Sequence, residues 1–304
     1  MWDFPYDSLT AIRTLLEEEQ LALSKKFGQN FLLSDHVLKE ITRLVDAKEG
    51  STVWEVGPGI GALTSHLLKT KAHVTAFEID YGFIRVLTQR AFGDEKNFHL
   101  VSGDVLKTYQ IEYQRNGTPS VVCGNLPYNI GSLFIATIIE QGIHPKRMVF
   151  TLQKEVAHRL QAQSGTKAYS TLSILTQCFY DVSIVMNLSS GHFYPPPEVA
   201  SSVILLTQKE KPLLDDGITE LFFPLIRDLF AQRRKTIKNN LLNNKEIQRI
   251  GNSFITPILE EANIDEKERS ENLSIETLIA LAQIMKRYAY PTHEPKYPYD
   301  SDSN

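Results

Sequence analysis

The chain has 304 residues, 42% of them hydrophobic and 22% charged, the proportions of a soluble globular protein with room for one large domain or two modest ones. A formal net charge of −4 argues against bulk attraction to nucleic acid, yet it leaves open a local basic face of the kind that phosphates need. The two cysteines, Cys123 and Cys178, lie far apart without metal-ligand spacing, so no disulfide framework or metal site is expected. No apolar run approaches the length of a bilayer span, and Met1-Trp2-Asp3-Phe4 has no basic stretch leading into an apolar one. A cytoplasmic, reduced setting without membrane contact is expected, with Cys123 a buried free thiol.

Apolar residues at helical spacing (Leu9, Ile12, Leu15, Leu16) predict a helix over residues 7–23. Lys25-Lys26-Phe27-Gly28-Gln29-Asn30-Phe31-Leu32 then mixes cations, amides and aromatics, which suits a loop that touches a ligand or phosphates as well as it suits a solvated helix end. Asp35 is placed to cap a helix carrying Val37, Leu38, Ile41 and Val45 on one face. Residues 52–56 read as a strand that runs into Gly57-Pro58-Gly59-Ile60-Gly61-Ala62 and a new helix. A strand, a glycine turn and a helix start let the backbone approach a nucleotide-type cofactor closely, and Gly57, Gly59 and Ala62 satisfy the dinucleotide fingerprint too. That motif alone does not separate a dehydrogenase from a methyltransferase.

The next strand, 73–77, ends at Glu78-Ile79-Asp80. An acid there can accept from both hydroxyls of a ribose, whereas Asp80 is the better cap for the helix predicted over 81–92. A third strand, 97–101, leads to Asp104, placed either to accept from an adenine amino group or simply to shape a turn. The fourth, over 120–124, delivers Asn125-Leu126-Pro127-Tyr128 at its C-terminal edge. An Asn amide can accept from an amine, the Pro restricts the direction of the Leu126 carbonyl, and the Tyr offers a face for a base to stack on. The bland alternative is a strand-ending turn with a surface tyrosine.

A helix at 131–141, a strand at 147–152, helices at 153–161 and 169–179, and strands at 181–188 and 201–207 follow. The strand–helix alternation predicts an α/β fold, mostly parallel, with helices on both faces. Between the last two strands, Phe193-Tyr194-Pro195-Pro196-Pro197 is stiff enough to hold an aromatic as a pocket wall, or else is a Pro-rich turn with a core aromatic. Residues 209–216 read as a linker. Only helices follow, near 218–230, from 233, and near 254–262 and 274–288. Arg233, Arg234, Lys235 and Lys238 make the strongest basic cluster, which serves phosphates or is merely a solvated helix face. From 290 to 304 the composition predicts a disordered tail. No internal repeat is visible.

Nine segments in order, KKFGQNFL, EVGPGIGALT, FEID, GDVL, GNLPYNI, LQKEVAHRL, FYPPPEVASSVI, RRKTIKNNL and RSENLSIETL, make the chain resemble the ribosomal RNA adenine dimethyltransferases in their bacterial small-subunit form. The likeness covers about residues 8–288. It implies a Rossmann-like S-adenosylmethionine-dependent methyltransferase fold with a mostly parallel seven-stranded sheet over 1–208, and a small all-α RNA-binding domain over 209–289. It implies that Asn30, Leu32, Gly57, Glu78, Asp104 and Asn125 hold S-adenosyl-L-methionine. Asn125, the Leu126 carbonyl, Tyr128 and Phe193 would grip the target base, and Lys25, Lys26, Arg233, Arg234, Lys235 and Lys238 would hold RNA. The implied reaction is dimethylation of N6 at two adjacent adenosines near the 3′ end of 16S rRNA, by a monomer acting on the small ribosomal subunit or its precursor. Two positions depart from the family: Glu198 stands where Lys is frequent and Ser170 where Gly is frequent, which bears on RNA docking rather than on methyl transfer. The rival readings are a 23S rRNA adenine methyltransferase, a ribosome-assembly factor whose methylation is secondary, and a dinucleotide-dependent oxidoreductase, which has no use for Asn125–Tyr128.

Overall fold

The Ser8 hydroxyl accepts from the Ala11 N–H at 3.3 Å and starts α1 (Leu9–Glu18), whose Ile12, Leu15 and Leu16 are buried. The structure, a computed structural model, describes residues 2–23, 30–127 and 130–290. A two-residue strand, β1 (Phe31–Leu32), stands where the sequence predicts only loop. Ser34, not Asp35, caps α2 (Asp35–Val45): its hydroxyl accepts from the Val37 N–H at 3.4 Å. Asp35 falls one residue inside, where its charge suits the helix N-terminus and pairs with Lys39.

Strands and helices then alternate: β2 (Thr52–Val56), α3 (Ala62–Lys69), β3 (His73–Glu78), α4 (Tyr81–Val86), β4 (Phe98–Ser102), α5 (Val105–Asn116), β5 (Val121–Asn125), α6 (Gly131–Glu140), β6 (Arg147–Gln153), α7 (Lys154–Leu160), α8 (Thr171–Phe179), β7 (Tyr180–Leu188), β8 (Phe193–Tyr194) and β9 (Ser201–Gln208). Asp80 caps α4 as expected, accepting from the Gly82 N–H at 2.8 Å, and α4 runs on into a π-helical turn at Leu87–Ala91. The sequence reading missed α5, because its apolar stripe is thin: Val105, Tyr109 and Glu112 are its buried residues.

Seven strands form one sheet in the order β4-β3-β2-β5-β6-β9-β7, and β1 pairs separately with β8. The four pairings from β4 to β6 are parallel and the two that involve β9 are antiparallel, so the sheet is mostly parallel. β5 and β6 are buried along nearly their whole length, as strands covered on both faces must be. Between its buried ends β7 alternates exposed and half-buried positions, as an edge strand with one open face does. The strand order reverses between β2 and β5, and the C-terminal ends of those two strands define the crevice where such sheets bind ligands.

The chain divides into two compact units, one of residues 1–162 and 168–212, the other of residues 163–167 and the chain from Leu213 onward. The second unit contains α9 (Asp216–Ala231), α10 (Ile237–Leu241), α11 (Lys245–Ile250), α12 (Ile255–Glu261) and α13 (Ile275–Ala289). Its core holds Phe222, Leu225, Leu229, Ile237, Ile258, Leu278 and Met285. Asn240 is buried here as a structural group, its amide donating to the Leu229 carbonyl at 2.8 Å where α9 ends. The predicted tail, apart from Tyr290, lies outside the described residues.

One backbone approach in the first unit is tight enough to test. A Cβ on Gly124 would sit 2.3 Å from the Val56 carbonyl oxygen, and backbone cannot swing aside as a side-chain tip can. Gly124→Ala is therefore expected to cost roughly 1–3 kcal/mol, as overpacking does. A urea midpoint equal to that of the wild type would contradict this.

Candidate active site

Residues from five strand ends converge on a cavity of about 270 Å³ at the crevice. Its wall includes Asn30, Leu32, Gly57, Glu78, Asp104 and Asn125, so the six residues assigned to one ligand by the sequence reading do share one cavity. Cavities of this kind at a strand-order reversal are the usual ligand sites of open α/β sheets.

Gly57 begins the turn after β2 with φ of +70°, a conformation that side chains rarely adopt. The turn is pinned to β3 through Glu78. Its Oε2 accepts from the Gly59 N–H at 3.1 Å, and its Oε1 accepts from the Ile79 and Asp80 N–H groups, each at 2.9 Å. A carboxylate offers about four lone-pair sites. Three are thus taken by backbone, and one on Oε2 is left for a ligand hydroxyl. This corrects the expectation that Glu78 accepts from two hydroxyls at once. Burial pushes the Glu78 carboxyl up to about 7, against the opposing pull of those three N–H groups.

Asp104 serves two purposes. Oδ1 caps α5, accepting from the Leu106 N–H at 3.0 Å, while the residue also lines the cavity, and Oδ2 has no partner among the described residues. Asn125 ends β5 opposite Thr151 of β6. Its Nδ2 donates to the Asn30 carbonyl at 2.6 Å. A carbonyl can only accept, so this bond sets the amide's orientation and leaves Oδ1 as the acceptor available to a ligand.

Leu126 is buried, and its N–H donates to the Thr151 carbonyl at 3.2 Å. Its side chain is an anchor under the loop and is not part of the cavity wall, which Pro127 and Ile130 continue. Tyr128 lies outside the described residues. Phe193 is 4% exposed and packs in the core beside Leu32, its antiparallel partner. It adjoins the cavity wall through that strand pair but does not line the cavity, which corrects the picture of a ready-made aromatic face. The apolar character of Phe193 and its strand partner explains the burial.

One ionisable cavity residue escaped the sequence reading. Glu55 of β2 is 1% exposed, lines the cavity and accepts from the Thr64 hydroxyl at 2.6 Å. The signal was an acid inside an otherwise apolar strand, Val53-Trp54-Glu55-Val56. Burial, with the neighbouring Glu78 carboxylate adding to it, pushes the Glu55 carboxyl up to about 8. Both acids bind protons more tightly folded than unfolded. Stability gained from their neutral forms is present near the ordinary carboxylate pKa and is lost as pH rises through about 7 and about 8. The ligand-free protein is expected to have a lower urea midpoint at about pH 8 than at about pH 5.5, with a shallower fall in Glu55→Gln. Equal slopes for the two proteins would contradict the assignment.

The basic cluster differs from its expected form. Residues 232–235 are a turn, and α10 begins only after Thr236, so the four cations do not share one helix face. Arg233 is tied inside its own unit: Nε and Nη2 donate to Glu271 Oε2 at 3.0 and 2.6 Å, and Nη1 donates to the Lys167 carbonyl at 2.8 Å. Lys238 pairs with Glu266 at 2.6 Å, which holds that carboxyl below its usual range. Arg234 and Lys235 are exposed and have no ion pair among the described residues. Lys25 and Lys26 lie outside the described residues. Both cysteines are free and buried, as was expected of Cys123.

Comparison with known proteins gives a consistent picture. A family model described as "Ribosomal RNA adenine dimethylase" matches residues 21–281. A relative from Treponema denticola named "Ribosomal RNA small subunit methyltransferase A" is 39% identical over 281 residues, covering 92% of this chain and 95% of the relative. A relative of the same name from Bacillus pumilus is 38% identical over 287 residues, covering 92% and 98%. Among solved structures, a dimethyladenosine transferase from Plasmodium falciparum superposes with a TM-score of 0.71 at 26% identity, covering 84% of this chain and 97% of that one. The 23S rRNA methyltransferase ErmE superposes at 0.59 with 21% identity, over 84% and 99% of the two chains, a likeness of fold.

Proposed function

The chain belongs to the ribosomal RNA adenine dimethylase family, and from that premise we propose that it transfers methyl groups from S-adenosyl-L-methionine to N6 of two adjacent adenosines in the 3′-terminal hairpin of 16S rRNA, during small-subunit biogenesis in the cytoplasm. The observation that carries this reading is the convergence of Glu78, Asp104 and Asn125 on one cavity at the reversal of strand order. The residues suit the donor. Glu78 keeps one open lone-pair site for a ribose hydroxyl, Asp104 Oδ2 is free for an adenine amino group, and the Gly57 turn lets backbone lie close. When bound, S-adenosylmethionine supplies the electrophilic methyl.

Asn125 and Leu126 act on the acceptor. The N6 amine of adenine is a poor nucleophile because its lone pair is spread into the ring. The Asn125 Oδ1 and the Leu126 carbonyl accept its two protons and favour a pyramidal nitrogen with a localised lone pair, so catalysis is by positioning and electrostatics. No strong base is needed, since the alkylated nitrogen loses its proton readily. The base must leave the stack to reach the cavity. Tyr128 would restore stacking.

We assign RNA phosphates to Arg234 and Lys235, and to Lys25 and Lys26, rather than to Arg233 or Lys238. Alanine at Arg234 and Lys235 together is expected to keep the melting temperature and to shrink the slope of log Kd against log salt by up to about 1.8, about 0.9 per phosphate contact. Arg233→Ala is expected instead to lower stability by about 1 kcal/mol. Equal effects of both changes on the melting temperature would overturn this division. The enzyme would act as a monomer. Among the described residues no helix is long and apolar enough to cross a membrane.

The test of the function is transfer of labelled methyl groups from S-adenosylmethionine to unmethylated small subunits, with mass spectrometry of the nucleosides. Dimethyladenosine at two adjacent sites is expected. Methylation of large subunits alone would overturn the substrate. Full restoration of subunit maturation by Asn125→Ala in a deletion strain would favour the assembly-factor role.

A further inference from the structure

Thr151 of β6 carries a hydroxyl that the fold does not use. The residue is 1% exposed, and its Oγ1 is buried without a hydrogen-bond partner among the described residues. A buried hydroxyl left unpaired destabilises the folded chain, whereas a valine of the same shape would pack there without that cost. Buried groups of this kind are rare in folded proteins and call for a task.

The position of Thr151 supplies one. It is the register partner of Asn125 across the parallel pair of β5 and β6. Paired residues of neighbouring strands, about 4.8 Å apart, point to the same face of a sheet. Adjacent side chains identify that face. Phe150 packs against Phe134 of α6 on the other side, with ring centroids 6.4 Å apart. Val149, Cys123 and Val203, the antiparallel partner of Thr151, belong to the core that also holds Leu32 and Phe193. The Thr151 side chain therefore enters that core beside Asn125. Its backbone is engaged as well, because its carbonyl accepts from the Leu126 N–H at 3.2 Å. One residue thus underlies both groups assigned to the acceptor amine.

The Asn125 amide has a donor to match. Nδ2 carries two hydrogens. One goes to the Asn30 carbonyl at 2.6 Å, and the second has no acceptor among the described residues.

We propose that Thr151 is a positioning residue for methyl transfer: its hydroxyl oxygen accepts the second Nδ2 hydrogen of Asn125 when the target amine is bound, and so holds the amide from a second side. This rests on the assignment of Asn125 to the acceptor amine. The two groups are not bonded in the structure; the bond forms as an amine on Oδ1 turns the amide. Donation by the amide nitrogen shifts charge onto the amide oxygen, and hydrogen bonds linked through one amide strengthen each other. Oδ1 becomes the better acceptor for the N6 proton and keeps both lone pairs free of protein donors.

The experiment compares Thr151→Val, which removes the hydroxyl and keeps the shape, with Thr151→Ser, which keeps the hydroxyl. Single-turnover transfer to unmethylated small subunits, donor Kd by calorimetry and the urea midpoint are measured for each, in the wild-type and Asn125→Ala backgrounds. Thr151→Val is expected to keep or raise the midpoint and to slow transfer by roughly three- to tenfold, the scale of one neutral hydrogen bond. Its donor Kd should stay within about twofold of wild type, so that the loss falls on kcat. Thr151→Ser should transfer at a rate within about twofold of wild type although loss of a buried methyl lowers its midpoint. In the Asn125→Ala background Thr151→Val should slow transfer no further, because the group it positions is gone. A lowered midpoint in Thr151→Val would show that the hydroxyl is spent on the fold, and would overturn the proposal. So would a wild-type rate in that variant, an equal rate loss in Thr151→Ser, or an equal loss with and without Asn125, all of which leave Asn125 in its role. Wild-type transfer by Asn125→Ala alone would overturn the assignment of Asn125, and the proposal with it.

Discussion

Asn125→Ala is expected to lower kcat for methyl transfer by roughly a hundred- to a thousandfold, the usual scale for loss of one preorganised polar group at a reacting centre, while donor Kd moves by no more than about tenfold. The reason lies in how the amide is held. Nδ2 is committed to the Asn30 carbonyl at 2.6 Å, so Oδ1 is aimed by a bond made before any ligand arrives. That fixed acceptor acts on the amine only as the nitrogen becomes pyramidal, so its loss falls on kcat. Asn125→Asp discriminates this account from a simple need for an oxygen. A carboxylate cannot donate to the Asn30 carbonyl, is repelled by it, and turns away. Asp is therefore expected to be nearly as inactive as Ala. Single-turnover rates on unmethylated subunits, with circular dichroism to confirm folding, make the measurement. A kcat within about threefold of wild type for either variant would remove Asn125 from the chemistry.

The fold was legible where the physics is local. The parallel strands 52–56, 147–153 and their neighbours are largely apolar runs of the kind a doubly covered sheet favours, and Asp80 advertises the start of α4 two residues ahead of the Gly82 N–H it binds. What could not be read is what depends on contacts distant in the chain. The pairing of Phe31–Leu32 with Phe193–Tyr194 joins short segments that have no strand pattern of their own. Helix α5 presents too thin an apolar stripe to announce itself. The candidate site shows the same division. Glycines and polar residues at strand ends are conspicuous in the sequence, so Gly57, Glu78, Asp104 and Asn125 could be singled out, and they line one cavity. The partners of charges are not. That Arg233 is spent on Glu271 and the Lys167 carbonyl, 38 and 66 residues away, follows from the folded second unit alone. Glu55 was hidden for the opposite reason: in a buried strand one letter among apolar neighbours reads as an exception.

Glu78→Ala carries the second large effect, on donor affinity rather than on rate. The side chain performs two jobs that the substitution removes together. It offers the remaining lone-pair site on Oε2 to a ribose hydroxyl, and it holds the N–H groups of Gly59, Ile79 and Asp80, which clamp the glycine turn to the end of β3. Hydrogen bonds to a charged group contribute about 1.5–3 kcal/mol each, so loss of the ligand bond alone predicts a rise in donor Kd of roughly ten- to a hundredfold. Release of the turn adds to it, because Gly57 and Gly59 both sit at positive φ and are kept there by what they bind. The two contributions separate by ligand. S-adenosylhomocysteine and S-adenosylmethionine share the ribose, so both should weaken by the same factor, whereas adenine alone, which has no ribose, should feel only the loosened turn. The pH dependence has a definite sign. Protonation of Glu78 through about pH 7 removes one acceptor site, so wild-type affinity for both nucleosides should fall as pH falls, and that shared fall should vanish in Glu78→Ala. An alanine variant that keeps the wild-type Kd for both nucleosides would mean that the ribose is held elsewhere, and that Glu78 serves the turn alone.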